Sequence, residues 1–177
     1  MKKNVLVFGT IAGLIVSSFM FVSMLLFNHT DNAGSMLVGY ASMLIAFSFV
    51  FVGIKNFRDK YNDGLITFGK AFTVGILIAL LASTFYVVTW VIEFKFFIPD
   101  FIDRYAASVI KHSQESGASQ QIIDAQIAEM THYKEMYKNP LFLVLFTYME
   151  IFPVGLLVTL ASALILKNKN KLQTQNT

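Results

Sequence analysis

The chain has 177 residues, of which 55% are hydrophobic and 14% charged, and its mean hydropathy is +0.60. Soluble domains carry about 25% charged residues, whereas runs of about 20 apolar residues, typical of membrane spans, recur along this chain. The composition therefore excludes an ordinary soluble enzyme, a nucleic-acid-binding module and a disordered linker. Because the chain has no cysteine, disulfides, thiolate metal sites and cysteine nucleophiles are excluded as well.

Four apolar segments are long enough to cross a bilayer as helices, and they predict an all-α, integral membrane four-helix bundle. They cover about 5–27, 36–54, 71–98 and 141–166. About 20 residues suffice to cross a ~30 Å hydrocarbon layer at about 1.5 Å per residue. The first segment is longer than the apolar core of a cleaved signal, and no clear cleavage site follows it. We therefore expect it to be retained as a span.

The spans define one membrane domain over 1–177, with a loop at 55–70, an outer segment at 99–140 and a tail at 167–177. The outer segment predicts a helical hairpin between spans three and four, because its apolar residues recur at helical spacing. The predicted N-caps of its two helices are Asp100 and Ser119. The first helix is predicted to end at Ser116-Gly117 and the second at Asn139-Pro140. We expect it to be a connector or a binding site, and both interpretations remain open.

Basic residues are concentrated on one side of the predicted spans, which holds nine of the 14 Lys and Arg residues and only two acidic residues. The nine are Lys2, Lys3, Lys55, Arg58, Lys60, Lys70, Lys167, Lys169 and Lys171. The positive-inside rule therefore places both termini in the cytoplasm. In the loop, Lys55, Arg58, Lys60 and Lys70 are expected to contact anionic lipid headgroups around a tight Asn-Asp-Gly turn.

Small residues recur at four-residue spacing in all four spans. Such faces let helix backbones approach closely where lipid supplies no hydrophobic driving force between helices. The pattern predicts a compact bundle, a homo-oligomer, or both. The glycines expected at helix contacts are Gly9, Gly13, Gly39, Gly75 and Gly155.

Glu150 interrupts the fourth span, between a few and about 14 Å below its outer boundary. An ionised carboxylate at that depth costs several kcal/mol unless it is paired or faces water. Pro153, one turn further on, cannot donate to the carbonyl of Met149 and loosens the helix. The pattern fits a proton or cation site or a latch between helices. It fits equally a structural hydrogen bond to a hydroxyl such as Tyr86 or Thr89.

Glu93 lies near the outer end of the third span, on the same helical face as Tyr86, Thr89 and Trp90. The neighbouring Lys95 and aromatic residues favour an interfacial anchor belt at this level. We therefore include Glu93, Tyr86 and Trp90 with Glu150 and Pro153 in a candidate intramembrane polar site, and expect Glu93 itself to be an anchor.

No enzymatic motif is found in the chain, which lacks GxSxG, intramembrane GxGD and phosphate-loop patterns. His29, His112 and His132 lie on separate segments without the spacing of a metal site. We therefore expect neither enzymatic activity nor a metal or cofactor.

The chain resembles the small bacterial membrane proteins catalogued as domain of unknown function four-one-nine-nine, over nearly its whole length. The resemblance depends on the loop from Gly53 to Gly75, on Asn139-Pro140 and, more specifically, on the stretch from Glu150 through Pro153-Val154-Gly155 to Lys167. It implies a four-span protein of the bacterial cytoplasmic (inner) membrane, and it implies no activity.

Together these patterns predict a structural or accessory membrane component in the lipid bilayer that assembles with itself or with another membrane protein. No nucleic-acid partner is expected. The alternative is a small transporter or channel subunit that uses Glu150 as a proton or cation site.

Overall fold

A computed structural model of the chain describes residues 1–27 and 36–168. Four long helices dominate it: α1 (Lys2–Phe27), α2 (Met36–Tyr61), α3 (Phe68–Ile92) and α6 (Pro140–Leu166). Each is long and apolar enough to cross a membrane. The all-α prediction is therefore confirmed, and the chain is a multi-pass membrane protein. The predicted tail beyond residue 168, and His29, lie outside the described residues.

The four long helices form a bundle in which α2 and α3 meet across one diagonal. Helix α3 packs most extensively on α1 and α6, and α2 also packs on both of them. Helices α1 and α6 therefore occupy opposite corners. Helix α3 runs parallel to α1, because Gly13 lies against Phe85 and Ser17 against Thr89 four residues later on each helix. It runs antiparallel to α6, because Gly75 lies against Thr159 and Ala79 against Gly155.

One end of the bundle, which we call the basic end, gathers the start of α1, the end of α2, the start of α3 and the end of α6. Asn4 donates to Asn56 at 3.1 Å and so joins α1 to α2. The backbone N–H of Asn168 donates to the carbonyl of Ile66 at 2.9 Å, which fixes the end of α6 on the α2–α3 loop. The predicted basic segments therefore converge on one end of the molecule, for the part of the chain that the structure describes, which ends at residue 168.

Helix α2 is longer than the apolar pattern indicates. It continues past residue 54 to Tyr61, because hydropathy marks the membrane boundary and not the end of a helix. A tight turn then follows, in which Asp63 and Gly64 have φ of 52° and 75°. The side-chain amide of Asn62 closes this turn on the carbonyl of Leu65.

The opposite end of the bundle, the hairpin end, carries α4 (Phe101–Glu115) and α5 (Gln120–Tyr137). These helices pack on each other as a hairpin whose turn contains Gly117 at φ 74°. Between α3 and α4 the backbone forms one π-helical turn, Glu93–Phe97, in which Ile98 N–H donates to the carbonyl of Glu93 at 2.9 Å. The expected caps Asp100 and Ser119 precede α4 and α5, although neither side chain makes a capping bond.

The core of the bundle is apolar and closely packed. Phe47 of α2 and Ile78 of α3 are fully buried, and the ring of Phe47 lies against Gly155 of α6. Since lipid is as apolar as these side chains, close van der Waals packing stabilises the helix contacts more than exclusion of water does. Large apolar side chains such as Leu6, Leu157 and Ile165 face outward from α1 and α6, as expected of helices in a bilayer.

Candidate functional site

One face of α3 brings the polar residues singled out in the sequence into the interior of the bundle. Gly75, Ala79, Tyr86 and Glu93 follow one another at spacings of four, seven and seven residues, which place them on one face of a helix. Gly75 contacts both α2 and α6, and Ala79 lies against α6. Tyr86 and Glu93 therefore continue a stripe that is directed inward, toward the hairpin end.

Tyr86 joins α3 to α6 through Glu150. Its hydroxyl donates to Oε1 of Glu150 at 3.3 Å, so the structure contains the hydroxyl–carboxylate bond considered from the sequence. The other candidate, Thr89, instead donates to Ser17 of α1 at 3.0 Å. The hydroxyl of Tyr86 also lies within electrostatic range of Glu93 and of Tyr40 on α2. The Tyr86 hydroxyl thus bonds to one carboxylate, Glu150 on α6, and lies in electrostatic range of a second, Glu93.

Glu150 is an exposed residue of the single chain, although it lies ten residues inside α6. At about 1.5 Å per residue this is about 15 Å from the start of the helix. Pro153, which is also exposed, has no N–H to offer the carbonyl of Met149. The middle of α6 therefore presents a carboxylate and a freed backbone carbonyl, two acceptors in an otherwise apolar span.

Glu93 is buried in the bundle, whereas the sequence predicts an exposed anchor at the membrane interface. The residue is only 1% exposed. Neither carboxylate oxygen has a hydrogen-bond partner in the part of the chain that the structure describes. Two causes account for the difference: Glu93 continues the inward stripe of α3, and the π-helical turn begins at this residue. Lys95, two residues on, remains exposed with its Nζ 5.7 Å from the centre of the Phe96 ring.

Trp90 belongs to an aromatic cluster that holds the hairpin on the bundle. Its ring meets Phe101 of α4 edge-on at 4.9 Å between centroids. Phe94 lies 5.7 Å from Tyr137 of α5, which is 6.3 Å from Phe146 of α6. Burial, and then the charge of Glu150, raise the pKa of the Tyr137 phenol. Tyr137 therefore remains a neutral donor beside the acidic groups.

The half of the bundle toward the basic end is sealed by apolar side chains. They come from α2, α3, the α2–α3 loop and α6, and each is at most 5% exposed: Phe47, Val50, Ile54, Ile66, Val74, Ile78 and Leu166. Among the described residues, the buried polar side chains of this half are Asn4, Thr159 and Ser162, none of which is ionisable. The two carboxylates of the spans, Glu93 and Glu150, therefore both lie in the half toward the hairpin.

Four of the five glycines expected at helix contacts lie against a neighbouring helix. A Cβ added at Gly9 or Gly13 would come within 2.7 Å of α3, and one at Gly75 or Gly155 within 2.7 or 2.8 Å of a facing side chain. Gly39 differs, because no atom of the described residues lies within 4 Å of its position. The sequence reasoning missed Gly53, where a Cβ would lie 2.5 Å from Ile78. Most of the small-residue faces are thus used within the chain.

The four basic residues expected at lipid headgroups all lie at the basic end, and two of them have internal partners. Arg58 pairs with Asp59 at 2.7 Å and donates to the carbonyl of Leu166 at 3.5 Å, at the end of α6. Lys70 donates to Asn62 at 2.8 Å. Lys55 and Lys60 are exposed. Arg58 and Lys70 therefore stabilise the turn and the end of α6 in addition to any headgroup contact.

The sequence offered one signal for the inward position of Glu93. Gly75, Ala79 and Glu93 share a face, so a small-residue stripe that packs against other helices passes through the carboxylate. No comparable signal marks the π-helical turn, because its residues, Glu-Phe-Lys-Phe-Phe, fit an ordinary helix equally well.

Comparison with known proteins identifies a family. The family described as "Protein of unknown function (DUF4199)" matches residues 7–168, which confirms the resemblance seen in the sequence. No curated protein and no solved structure matches the chain.

Proposed function

Because the chain belongs to the DUF4199 family, whose description states no activity, we propose its function from its own geometry. It is a non-enzymatic accessory component of a membrane, and it assembles with itself or with another membrane protein.

The exposed acceptors in the middle of α6 are the observation that carries this proposal. Glu150 is exposed about 15 Å along the helix, and Pro153 frees the carbonyl of Met149, whose side chain is 73% exposed. A carboxylate facing hydrocarbon costs at least about 2.5–3.5 kcal/mol by insertion scales. A second protein surface that brings hydrogen-bond donors to this point would remove most of that cost.

The chemistry of the partner follows from the acceptors. The exposed groups accept hydrogen bonds, so the partner surface must donate them through Ser, Thr, Asn, Lys or Arg side chains. Helix packing in membranes commonly uses such polar contacts, each contributing about 0.6 to 2 kcal/mol. The partner therefore presents a polar donor in its own span, at the depth of Glu150.

The sealed half of the bundle argues against the alternative, a transporter or channel subunit with Glu150 as its ion site. Phe47, Ile54 and Ile78 are buried between the acidic groups and the basic end. A proton or cation that reached Glu150 within a single chain would next meet these apolar side chains on its way to the basic end. They offer no polar group that could bind it. A transport function would thus require a pore between chains, with the Glu150 faces lining it.

The charge distribution supports a location. We propose the cytoplasmic membrane of a bacterium, with both termini in the cytoplasm and the hairpin outside. Support comes from Lys2, Lys3, Lys55, Arg58, Lys60, Lys70 and Lys167, which gather at the basic end. Lys55 and Lys60, exposed there, are the residues best placed for anionic lipid.

Photo-crosslinking in native membranes tests the proposal. A benzophenone residue replaces Met149 in one variant and Leu14 of α1, which is 53% exposed, in the matched control. We expect the Met149 variant to give one discrete protein adduct, either a second copy or a different chain, and the Leu14 variant to give lipid adducts alone. Lipid adducts alone at both positions would show that the Glu150 face meets only the bilayer.

A further inference from the structure

The buried end of α3 carries a second site, separate from the assembly face of α6. Glu93 is 1% exposed, and both of its carboxylate oxygens lack a partner in the described part of the chain. A buried polar group without a hydrogen bond costs free energy, and an ionised one costs far more. Such a carboxyl group is stable only when it binds a positive charge.

No side chain supplies that charge in the described residues. The ion pairs of the structure join Arg58, Arg104, Lys134 and Lys138 to other carboxylates. Lys95 is exposed and lies by the ring of Phe96. Among the described residues, Tyr86 of α3 is the titratable group found to interact with Glu93, and it is neutral. Tyr86 in turn lies near Glu150 of α6 and Tyr40 of α2, and Glu150 lies near Tyr137 of α5.

A metal ion fits this site poorly. Calcium requires six to eight oxygen ligands, and magnesium an octahedral set. No group of three His, Cys, Asp or Glu side chains that could hold a metal occurs among the described residues. The hydroxyl of Thr89, four residues before Glu93, is engaged with Ser17. A proton, in contrast, requires no further ligand, because it converts the carboxylate into a neutral acid.

We propose that Glu93 is a proton-binding site, and that its side chain is a neutral carboxylic acid in the folded bundle at neutral pH. The π-helical turn that begins at Glu93 ends the third span, so the carboxyl group lies where the bundle leads into the hairpin. Release of the proton would leave an unpaired, buried carboxylate at the turn that leads from α3 to the hairpin, where Ile98 N–H donates to the carbonyl of Glu93. Proton release and loosening of the hairpin base are therefore coupled.

Infrared spectroscopy of the full-length protein in lipid nanodiscs tests the proposal. The carbonyl stretch of a neutral carboxylic acid lies above the amide and carboxylate bands and shifts in D₂O. We expect the wild type to show this band at neutral pH and Glu93→Gln to lose it, with Glu150→Gln as the matched control that retains it. A band that keeps its full wild-type intensity in Glu93→Gln, or a wild type that shows only carboxylate bands, would overturn the assignment. A band that appears only after Na⁺ and K⁺ are removed would identify a cation as the occupant and overturn it too.

A chemical probe covers the case in which Glu93→Gln fails to fold. Lipophilic carbodiimides react with protonated carboxyl groups in membranes: the acid proton moves to a carbodiimide nitrogen, and the carboxylate oxygen bonds to the central carbon. We expect dicyclohexylcarbodiimide to modify Glu93 in the wild-type protein, with less modification as the pH rises, as mapped by mass spectrometry. Modification of Glu150 with Glu93 unmodified over the same pH range would refute the proposal.

Discussion

Tyr86 and Glu150 fix the register of α3 against α6 from one side of their interface, with 3.3 Å between the hydroxyl and Oε1. On the other side, the hydroxyls of Thr84 and Tyr148 lie 2.8 Å apart. Residues two positions apart on a helix point in nearly opposite directions, so the two bonds lie on opposite sides of the α3–α6 interface. Because the two helices are antiparallel, both bonds lie at about the same depth. A slip of either helix by one residue would break both.

Loss of the Tyr86 hydroxyl is expected to weaken the bundle modestly. Tyr86→Phe removes a bond of the kind worth about 0.6 kcal/mol in membrane proteins. In a double-mutant cycle, Tyr86→Phe and Glu150→Leu should show coupling of about that size. Reversible unfolding in mixed micelles measures it, and Tyr148→Phe combined with Glu150→Leu is the control without coupling. Additive effects of Tyr86→Phe and Glu150→Leu would show that the bond contributes nothing.

A methyl group at Gly13 is expected to separate α1 from α3. The new Cβ would lie 2.8 Å from the Cβ of Phe85, an atom that cannot move without its backbone. Overpacking of this kind costs about 1–3 kcal/mol. Gly39→Ala is the matched control, because none of the residues that the structure describes lies within 4 Å of its position and alanine is the better helix former. In thermal unfolding in detergent, we expect Gly13→Ala to have a lower midpoint temperature than the wild type and Gly39→Ala not to. Equal midpoints for Gly13→Ala and the wild type would contradict the close packing of α1 on α3.

The proposed orientation predicts opposite labelling at the two ends of the bundle. The chain has no cysteine, so single cysteines can be placed at Lys60 and Ser119, both exposed. An impermeant maleimide applied to intact cells should label Ser119→Cys and leave Lys60→Cys unreacted until the membrane is opened. Labelling of Lys60→Cys in intact cells, with protection of Ser119→Cys, would invert the topology.

The proton proposed at Glu93 predicts a pH dependence of stability. The folded bundle retains a proton that the unfolded chain releases, so the free energy of unfolding should fall as the pH rises through the neutral range. In Glu93→Gln this fall should be absent, because the amide does not ionise. Denaturant titrations at several pH values give the comparison. If both proteins lose stability in parallel as the pH rises, Glu93 carries no proton.

Much of the architecture was accessible from the sequence, because apolar length and basic clusters act over whole segments. The four spans, the hairpin and the Asn62–Gly64 turn follow from such signals. The end of α2 at Tyr61 was missed because polar residues can extend a helix beyond the hydrocarbon layer. Gly39 shows the limit of the small-residue pattern: the same spacing marks helix contacts in α1, whereas Gly39 of α2 has no neighbour within 4 Å in the described part of the chain.

The candidate site was less predictable, because it depends on which side of a helix faces a neighbour. Glu150 was singled out, and its bond to Tyr86 was among the alternatives. Its exposure could not be read from the sequence, since it depends on how α2 and α6 pack. Glu93 was assigned to the interface because Lys95 and several aromatics follow it. Its burial results from a stripe on α3 and a π-helical turn that local composition does not specify.

Native mass spectrometry of the protein extracted from its own membranes into nanodiscs tests the central claim, that the α6 face assembles with another membrane protein surface. Wild type and Glu150→Leu are compared, with Gly69→Ala, at the exposed start of α3 at the basic end, as the control. We expect a stoichiometric second chain on the wild type and the control, with much less on Glu150→Leu. A wild-type protein that is monomeric in every preparation, and that conducts protons or cations in liposomes, would contradict it.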